Sequence, residues 1–182
     1  MSASAPATPT SSRADWPDDI YRTLKAHDVC QVCHVPDAGH ARLIDLCDAD
    51  ADMRTTTLTT EEEGVALLLG AWLGGERGAL LMQCSGTGNI VNMLGLARTC
   101  RFPLLMLVTM RGEWGEFNPW QIPMGQATRP VLEAMGTTVH DVTEAQAVTP
   151  TVDAAAGLAF SGLHPVAVTL SQQLIGTKTF KD

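Results

Sequence analysis

Three consecutive glutamates, Glu61, Glu62 and Glu63, stand just before an apolar stretch that reads as a helix from residue 65 to residue 73. Thr60 and Glu63 fit the capping box, in which a hydroxyl and a carboxylate satisfy the first free backbone donors of a helix. Glu61 gains about 0.3–1 kcal/mol from the field at a helix N-terminus. Glu62 is left without a structural role, and its small, apolar neighbours allow a buried carboxylate, a group that could exchange a proton. The alternative is that all three glutamates form a solvated acidic first turn.

A glycine-containing turn, Ser85-Gly86-Thr87-Gly88-Asn89, follows a predicted strand and opens a predicted helix. It resembles the start of a dinucleotide fingerprint, but Val91 stands where the third glycine belongs and no acidic residue follows at the ribose-binding interval. It is not a P-loop either, because no Gly-Lys-Ser/Thr follows. The turn therefore predicts only a mild anion site, formed by backbone N–H groups and two hydroxyls.

A third unusual segment runs from Met110 to Met124 and is here named the aromatic segment. It holds Trp114, Phe117 and Trp120, three of the nine aromatic residues of the chain, together with Arg111. Long segments of this kind are often functional, and Trp with Arg is typical of interface hot spots. The alternative is that the three rings only fold the segment onto its own domain.

The stretch Cys30-Gln31-Val32-Cys33-His34 spells the pattern of covalent haem attachment. We reject that interpretation because haem attachment requires export, and the N-terminus has neither a basic start nor an apolar core. The stretch also reads as a short buried strand closed by Pro36. Five scattered cysteines, an odd number, favour reduced thiols in a cytoplasmic protein over a disulfide framework.

The remaining chain alternates helix and strand signals at regular intervals. Helices are predicted at 17–27, 39–49, 61–73, 89–99, 126–135 and 144–161, and strands at 29–35, 53–58, 79–83, 104–109, 138–140 and 165–170. Continuous apolar strands separated by helices predict an α/β fold, a doubly wound and mostly parallel sheet with helices on both faces. Ligands of such sheets bind outside the carboxyl ends of the strands, so the loops that follow the strands carry the candidate site.

The size of the chain, 182 residues, fits one domain, which we place at residues 16–182 after a disordered tail at residues 1–15. Apolar runs fall short of the roughly 20 residues that span a bilayer. The net charge of −8 argues against a nucleic-acid or anionic-membrane surface.

Several of these motifs, in this order and spacing, resemble one known family. The stretches that carry the resemblance are Thr60 to Ala66, Leu81 to Asn89, Arg111 to Glu113, Gln121 to Gly125 and the turn Val35-Pro36-Asp37. They are similar to the pyrimidine-binding alpha subunit of thiamine-diphosphate-dependent decarboxylases that act on sulfopyruvate or phosphonopyruvate. The likeness covers about residues 17 to 170.

The resemblance implies that Glu62 hydrogen-bonds ring nitrogen N1′ of the cofactor's aminopyrimidine and so activates the cofactor toward a 2-oxo acid. Desolvation favours the protonated form of such a carboxyl group, which suits it to this task. The assignment to Glu62 leaves Glu63 for the capping box. Further residues are implied at the cofactor (Ser85, Gly86, Thr87 and Asn89) and at the substrate (Asp37, His40, Asn89, Arg111 and Gln121). Asp37 could equally be a helix N-cap, and His40 a solvated residue at a helix start.

The resemblance also implies a partner. The diphosphate and its Mg²⁺ are held in this family by a Gly-Asp-Gly motif, which this sequence lacks. A beta subunit should therefore carry the diphosphate site, in a hetero-oligomer with at least two of each chain. The family's phosphonopyruvate members carry Asp-Glu-Pro-Gln-His where Asn118 to Pro123 stand here, so the sulfopyruvate type is closer. The bulky Trp114 and Trp120 could instead indicate a less polar oxo acid. Carboligation, or a non-catalytic nucleotide-binding or assembly module, are the competing interpretations.

Overall fold

The computed structural model describes residues 15–176. The predicted N-terminal tail lies outside the described residues except for Asp15. Six strands are present: β1 (Val29–His34), β2 (Arg54–Thr57), β3 (Arg77–Gln83), β4 (Leu104–Thr109), β5 (Thr138–Val142) and β6 (Pro165–Leu170). The helices are α1 (Trp16–Ala26), α2 (Ala41–Asp48), α3 (Glu61–Leu73), α4 (Thr87–Cys100), α5 (Ile122–Ala134), α6 (Val148–Gly162) and α7 (Gln172–Ile175).

All strand pairs are parallel, in the order β2-β1-β3-β4-β6-β5. Every residue of β4 and β6 is buried, which is the expected pattern for central strands covered on both faces. The predicted α/β, doubly wound fold is confirmed.

Two apolar layers cover the sheet. Helices α1, α2 and α6 pack together on one face, over side chains such as Leu81 and Leu107. Helices α3, α4 and α5 pack on the other face, over Leu80 and Met106. Neighbouring residues of β3 and β4 thus point to opposite layers, as the period of two in a strand requires.

The chain leaves β1 in one direction along the sheet and leaves β3 in the other. Helix α2 leads from β1 to the edge strand β2, whereas α4 leads from β3 to β4. A crevice opens at the carboxyl ends of strands where the direction of winding reverses in this way. Loops that follow β1, β2, β3, β4 and β6 meet around this crevice.

The element bounds differ from the predicted ones mainly at helices. Helix α5 begins at Ile122 rather than at residue 126, because Pro123 occupies the first turn, where proline needs no hydrogen-bond acceptor. The short helix α7 was not predicted. The residues of the C-x-x-C-H pattern lie in β1, as expected, and Cys33 is fully buried.

Candidate active site

The first residue of α3, Glu61, is the buried carboxylate of the glutamate triplet. Glu61 is 7% exposed, whereas Glu62 and Glu63 are exposed. Glu62 is therefore not buried within this chain, and its burial against a partner subunit stays a prediction. Successive residues of a helix point about 100° apart, so only one of three adjacent side chains at this start can face the packed neighbour α4.

Two residues of the predicted glycine turn hold the Glu61 carboxylate. Asn89 Nδ2 donates a hydrogen bond of 2.7 Å to Glu61 Oε2. A Cβ added to Gly86 would lie 2.4 Å from Glu61 Cδ and Oε1, so only glycine leaves room for the carboxylate. We name these three residues, Glu61, Gly86 and Asn89, the Glu61 corner. Its members come from the carboxyl ends of β2 and β3.

The predicted capping box is not formed. Thr60 is the N-cap of α3, but its hydroxyl makes no capping hydrogen bond. The Glu63 carboxylate instead accepts a 2.8 Å hydrogen bond from the backbone N–H of Thr59, one residue before the N-cap. Glu63 thus keeps a structural role at the helix start.

The other two residues of the turn have different surroundings. Ser85 is exposed, and its hydroxyl donates to Gln83 Oε1 at 3.1 Å. Thr87, the first residue of α4, is fully buried, and its hydroxyl has no hydrogen-bond partner among the described residues.

A cavity of about 230 Å³ lies at the carboxyl ends of β1 and β4, and we name it the Asp37 cavity. Asp37 Oδ1 accepts from Gln83 Nε2 at 3.2 Å, and Oδ2 accepts from Thr109 Oγ1 at 2.5 Å. Asp37 is not an N-cap, because the N-cap of α2 is His40. The cavity is lined by Asp37, Ala38, Gly39, Thr109, Met110, Arg111, Ile175 and Gly176.

His40 begins a helix, as one alternative held, but it is buried rather than solvated. Only 1% of it is exposed, and its Nε2 donates to the Leu107 carbonyl at 3.1 Å. Its Nδ1 has no partner among the described residues. Burial lowers the pKa of His40, so the ring is neutral at physiological pH and supports the sheet from within.

Arg111, predicted to bind a substrate anion, is engaged within the protein. Its Nε and Nη2 donate to the two carboxylate oxygens of Glu116 at 2.7 and 2.6 Å. The Arg111 side chain is 14% exposed and that of Glu116 is 4% exposed. The hydrogen bonds from the guanidinium lower the pKa of Glu116 to about 2, so the pair stays ionised at physiological pH.

Gln172, at the start of α7, ties the aromatic segment to the end of β6. Its Oε1 accepts from the backbone N–H groups of Glu113 and Trp114 at 2.9 and 3.0 Å, and its Nε2 donates to Glu116 at 2.8 Å. Sequence reasoning missed both Gln172 and Glu116 as partners of this segment. The one available signal is that Gln172 lies two residues after the end of a buried strand.

The three rings of the aromatic segment are covered only in part by their own domain. Trp114 is 53% exposed, Phe117 46% and Trp120 84%. Phe117 lies beneath Arg111, with the guanidinium carbon 5.7 Å from the ring centre. Gln121, another predicted substrate residue, ends a short turn whose backbone packs against Gly112, a close approach that glycine alone permits.

A second apolar surface lies on α3 and α4. From Gly64 to Gly75 the chain has no polar side chain, yet Leu73 is 79% exposed. A Cβ added to Gly70 or to Gly95 would meet no atom within 4 Å. We name this surface the α3–α4 face. The Glu61 corner lies at the N-terminal ends of the same two helices.

Comparison with known families identifies the chain. The model of the thiamine pyrophosphate enzyme, N-terminal TPP binding domain, matches residues 16–119, more than half of the sequence. The chain belongs to this family.

This N-terminal TPP binding domain is homologous to sulfopyruvate decarboxylase alpha subunits and to phosphonopyruvate decarboxylases. It is 38% identical to sulfopyruvate decarboxylase subunit alpha of Methanococcus maripaludis over 117 residues, 64% of this chain and 70% of that one. It is 36% identical to phosphonopyruvate decarboxylase of Streptomyces viridochromogenes over 117 residues, 63% of this chain and 30% of that one.

Among solved structures, 2-oxoglutarate:ferredoxin oxidoreductase from Magnetococcus marinus has the same fold. The TM-score is 0.68 at 14% identity, over 88% of this chain and 29% of the other. No helix between residues 15 and 176 has the length and apolar character needed to cross a bilayer.

The Glu61 corner fits the aminopyrimidine end of thiamine diphosphate. Asn89 donates to one carboxylate oxygen, and the missing side chain at Gly86 makes the room that the carboxylate and its other oxygen occupy. A carboxyl group can donate to or accept from a ring nitrogen, depending on its protonation. Within residues 15–176, no cluster of His, Cys, Asp and Glu could hold a metal ion.

Proposed function

We propose that this chain is the pyrimidine-binding alpha subunit of a thiamine-diphosphate-dependent decarboxylase of 2-oxo acids, related by sequence to the sulfopyruvate and phosphonopyruvate decarboxylases. Within it, we assign the cofactor contact to Glu61 rather than to Glu62. The observation that carries this assignment is the burial of Glu61 against Gly86, with Asn89 as its donor. Glu62, the residue that the family resemblance implies, is exposed on this chain and remains the alternative contact.

Thiamine diphosphate, when bound, supplies the carbon nucleophile and the electron sink that decarboxylation requires. The chain's own residues would orient it and handle one proton. Glu61 would hydrogen-bond the pyrimidine nitrogen, and Asn89 would keep the carboxylate in place. A rigidly held carboxyl group of this kind contributes about 10²–10⁴-fold to a reaction through proton transfer.

A partner subunit would complete the site. The methanogen relatives are named as alpha subunits, and the Streptomyces relative is a chain of which this domain matches only 30%. The remainder of that longer chain supports a second domain, here a separate beta subunit that binds the diphosphate and Mg²⁺. The apolar α3–α4 face, which adjoins the Glu61 corner, is suited to contact it because an apolar surface gains free energy when covered.

The substrate would enter the Asp37 cavity. Its polar lining, Asp37 and Thr109, lies at the carboxyl ends of β1 and β4, beside the crevice where ligands of this fold bind. His40 would act indirectly, since its buried ring supports the strands beneath the cavity. Ser85 and Gln121, both predicted as ligands, lie close by and remain candidates for contacts that form with the partner.

The test is reconstitution with the candidate beta subunit, thiamine diphosphate and Mg²⁺, followed by an assay of carbon dioxide from a panel of 2-oxo acids. We expect carbon dioxide from the joint complex and none from either chain alone. Glu61→Gln should lower turnover by at least about 100-fold, whereas the matched variant Glu62→Gln should stay within about threefold of wild type.

A chain that binds neither the partner nor the cofactor would instead be a non-catalytic module. Products other than carbon dioxide and an aldehyde would indicate carboligation.

A further inference from the structure

We infer, on the basis of the proposed function, that this chain's half of the site selects a 2-oxo acid whose tail beyond the keto group carries no second negative charge. Glu116 is the residue that sets this preference. The inference depends on the Asp37 cavity and on the charge state of Arg111, the one cation among residues 15–176 that lines it.

Arg111 is that cation, and its charge is already neutralised. Glu116 meets it with both carboxylate oxygens in a buried, two-point contact. Glu116 is itself fixed by the backbone N–H groups of Gly112 and Asn118, at 3.1 and 3.0 Å, and by Gln172. Releasing Arg111 to a substrate anion would leave a buried carboxylate without its counter-ion, which is costly.

The other groups around the cavity favour an uncharged tail. Asp37 adds a carboxylate to the lining, and Ala38, Met110 and Ile175 add apolar surface. A sulfonate or phosphonate would enter without a free cation among the described residues, and next to a like charge. An apolar tail of the same shape would instead gain from burial against the apolar lining.

A pair of substrates with matched shape tests the preference. In 3-sulfopyruvate the tail ends in a tetrahedral sulfonate, and in 4,4-dimethyl-2-oxopentanoate three methyl groups replace the three oxygens. We expect kcat/KM of the reconstituted complex to be at least about tenfold higher for the uncharged acid, since juxtaposed like charges are strongly unfavourable. A higher value for the sulfonate would overturn the inference.

Two variants test the role of Glu116. Glu116→Gln keeps the side-chain shape and frees the charge of Arg111, so it should raise kcat/KM for sulfopyruvate relative to the uncharged acid by about tenfold. The double variant Arg111→Gln/Glu116→Gln removes both charges and should leave the substrate ratio within about threefold of wild type. A selective loss of sulfonate turnover in the double variant would mean that Arg111 holds the anion, and would contradict the inference.

The outcomes separate this inference from the function on which it rests. Turnover of either acid by the wild-type complex supports the proposed function. The ratio of the wild-type kcat/KM values for the two acids then decides the inference, even if a variant fails to fold. No carbon dioxide from any acid would overturn the proposed function and the inference with it. Preference for the sulfonate in both the wild type and the double variant would overturn the inference alone. The cation that binds the sulfonate would then lie outside residues 15–176 of this chain, or on the partner subunit.

Discussion

The Glu61 corner and the aromatic segment each bury a carboxylate, but they satisfy it very differently. Glu116 accepts five hydrogen bonds, two of them from Arg111 and one each from Gly112, Asn118 and Gln172. Glu61 accepts one hydrogen bond, from Asn89, and its carboxylate fills the space left by the missing side chain of Gly86. A carboxylate with all its lone pairs engaged stabilises a structure, whereas one with spare hydrogen-bonding capacity is suited to a ligand.

The two regions also differ in what they expose. Around Glu116, large rings project outward from a backbone that is fixed by hydrogen bonds to Gln172. Around Glu61, the exposed surface of α3 and α4 combines polar side chains, such as Glu62 and Asn89, with small and aliphatic ones. The first region is preorganised and rigid, and the second is open beside a potential interface. The following predictions concern the isolated chain unless a complex is named.

The largest effect is expected where the carboxylate is fully satisfied. Glu116→Ala should lower the free energy of unfolding by about 3–5 kcal/mol, because it leaves Arg111 buried without its counter-ion. Urea-induced unfolding measures this. Glu133→Ala, which breaks the exposed Arg129–Glu133 pair, is the control and should cost less than about 0.5 kcal/mol. Equal effects of the two variants would contradict the role of Glu116.

A smaller loss is expected at the Glu61 corner. The new methyl group of Gly86→Ala collides with the Glu61 carboxylate, and overpacking of this kind costs about 1–3 kcal/mol. Gly88→Ala is the matched control, two residues away in a place where a Cβ meets no atom within 4 Å. It should stabilise helix α4 by about 0.5–1 kcal/mol. Thermal unfolding of both variants decides the point, and stabilisation by Gly86→Ala would show that Glu61 does not occupy this space.

The free energy of unfolding should depend on pH through His40 in one range and through the Arg111–Glu116 pair in another. Burial lowers the pKa of His40 below its ordinary 6.5, so the unfolded chain binds protons first as the pH falls. The free energy of unfolding should therefore decrease through His40 as the pH falls below 6.5, and be unaffected by this group above that pH. The Arg111–Glu116 pair weakens only below pH 4.5, toward the Glu116 pKa of about 2.

Urea unfolding between pH 8 and pH 5 measures this dependence. His40→Gln retains a donor for the Leu107 carbonyl but does not titrate, so its stability should vary less over this range. Identical pH profiles for wild type and variant would exclude His40 as the cause.

The smallest effect on the isolated chain is expected at Trp120. Because this side chain is 84% exposed, Trp120→Ala should change the free energy of unfolding by less than about 0.5 kcal/mol. In the complex, the same variant should weaken binding of the beta subunit by at least about tenfold if the ring is covered there. Unchanged affinity would restrict the interface to the α3–α4 face, which Leu73→Asp would then disrupt.

Much of the fold could be predicted from the sequence. The bounds of α3, β4 and β6 match the prediction at both ends, because each is a continuous apolar run with a clear start and stop. Helix α7 could not be predicted, since four residues carry too little pattern. Its importance comes from long-range hydrogen bonds of Gln172 to a segment more than 50 residues away.

The candidate site was predictable in its loops but not in its contacts. The sequence indicated the glutamate triplet and the glycine turn, and the two do meet in the structure. Which of three adjacent glutamates faces inward depends on where the helix begins, and a shift of one residue rotates every side chain by about 100°. The pairing of Arg111 with Glu116 depends on the path of an irregular segment, which has no periodic signal.

The assignment of the cofactor contact to Glu61 is tested most directly by exchange of the cofactor's thiazolium C2 proton with deuterium in the reconstituted complex, followed by NMR. This measurement reports cofactor activation alone, without substrate binding or product release. The account predicts that Glu61→Gln slows exchange by at least about 100-fold while Glu62→Gln leaves it within about threefold of wild type. Slowed exchange in Glu62→Gln, with exchange unchanged in Glu61→Gln, would contradict it.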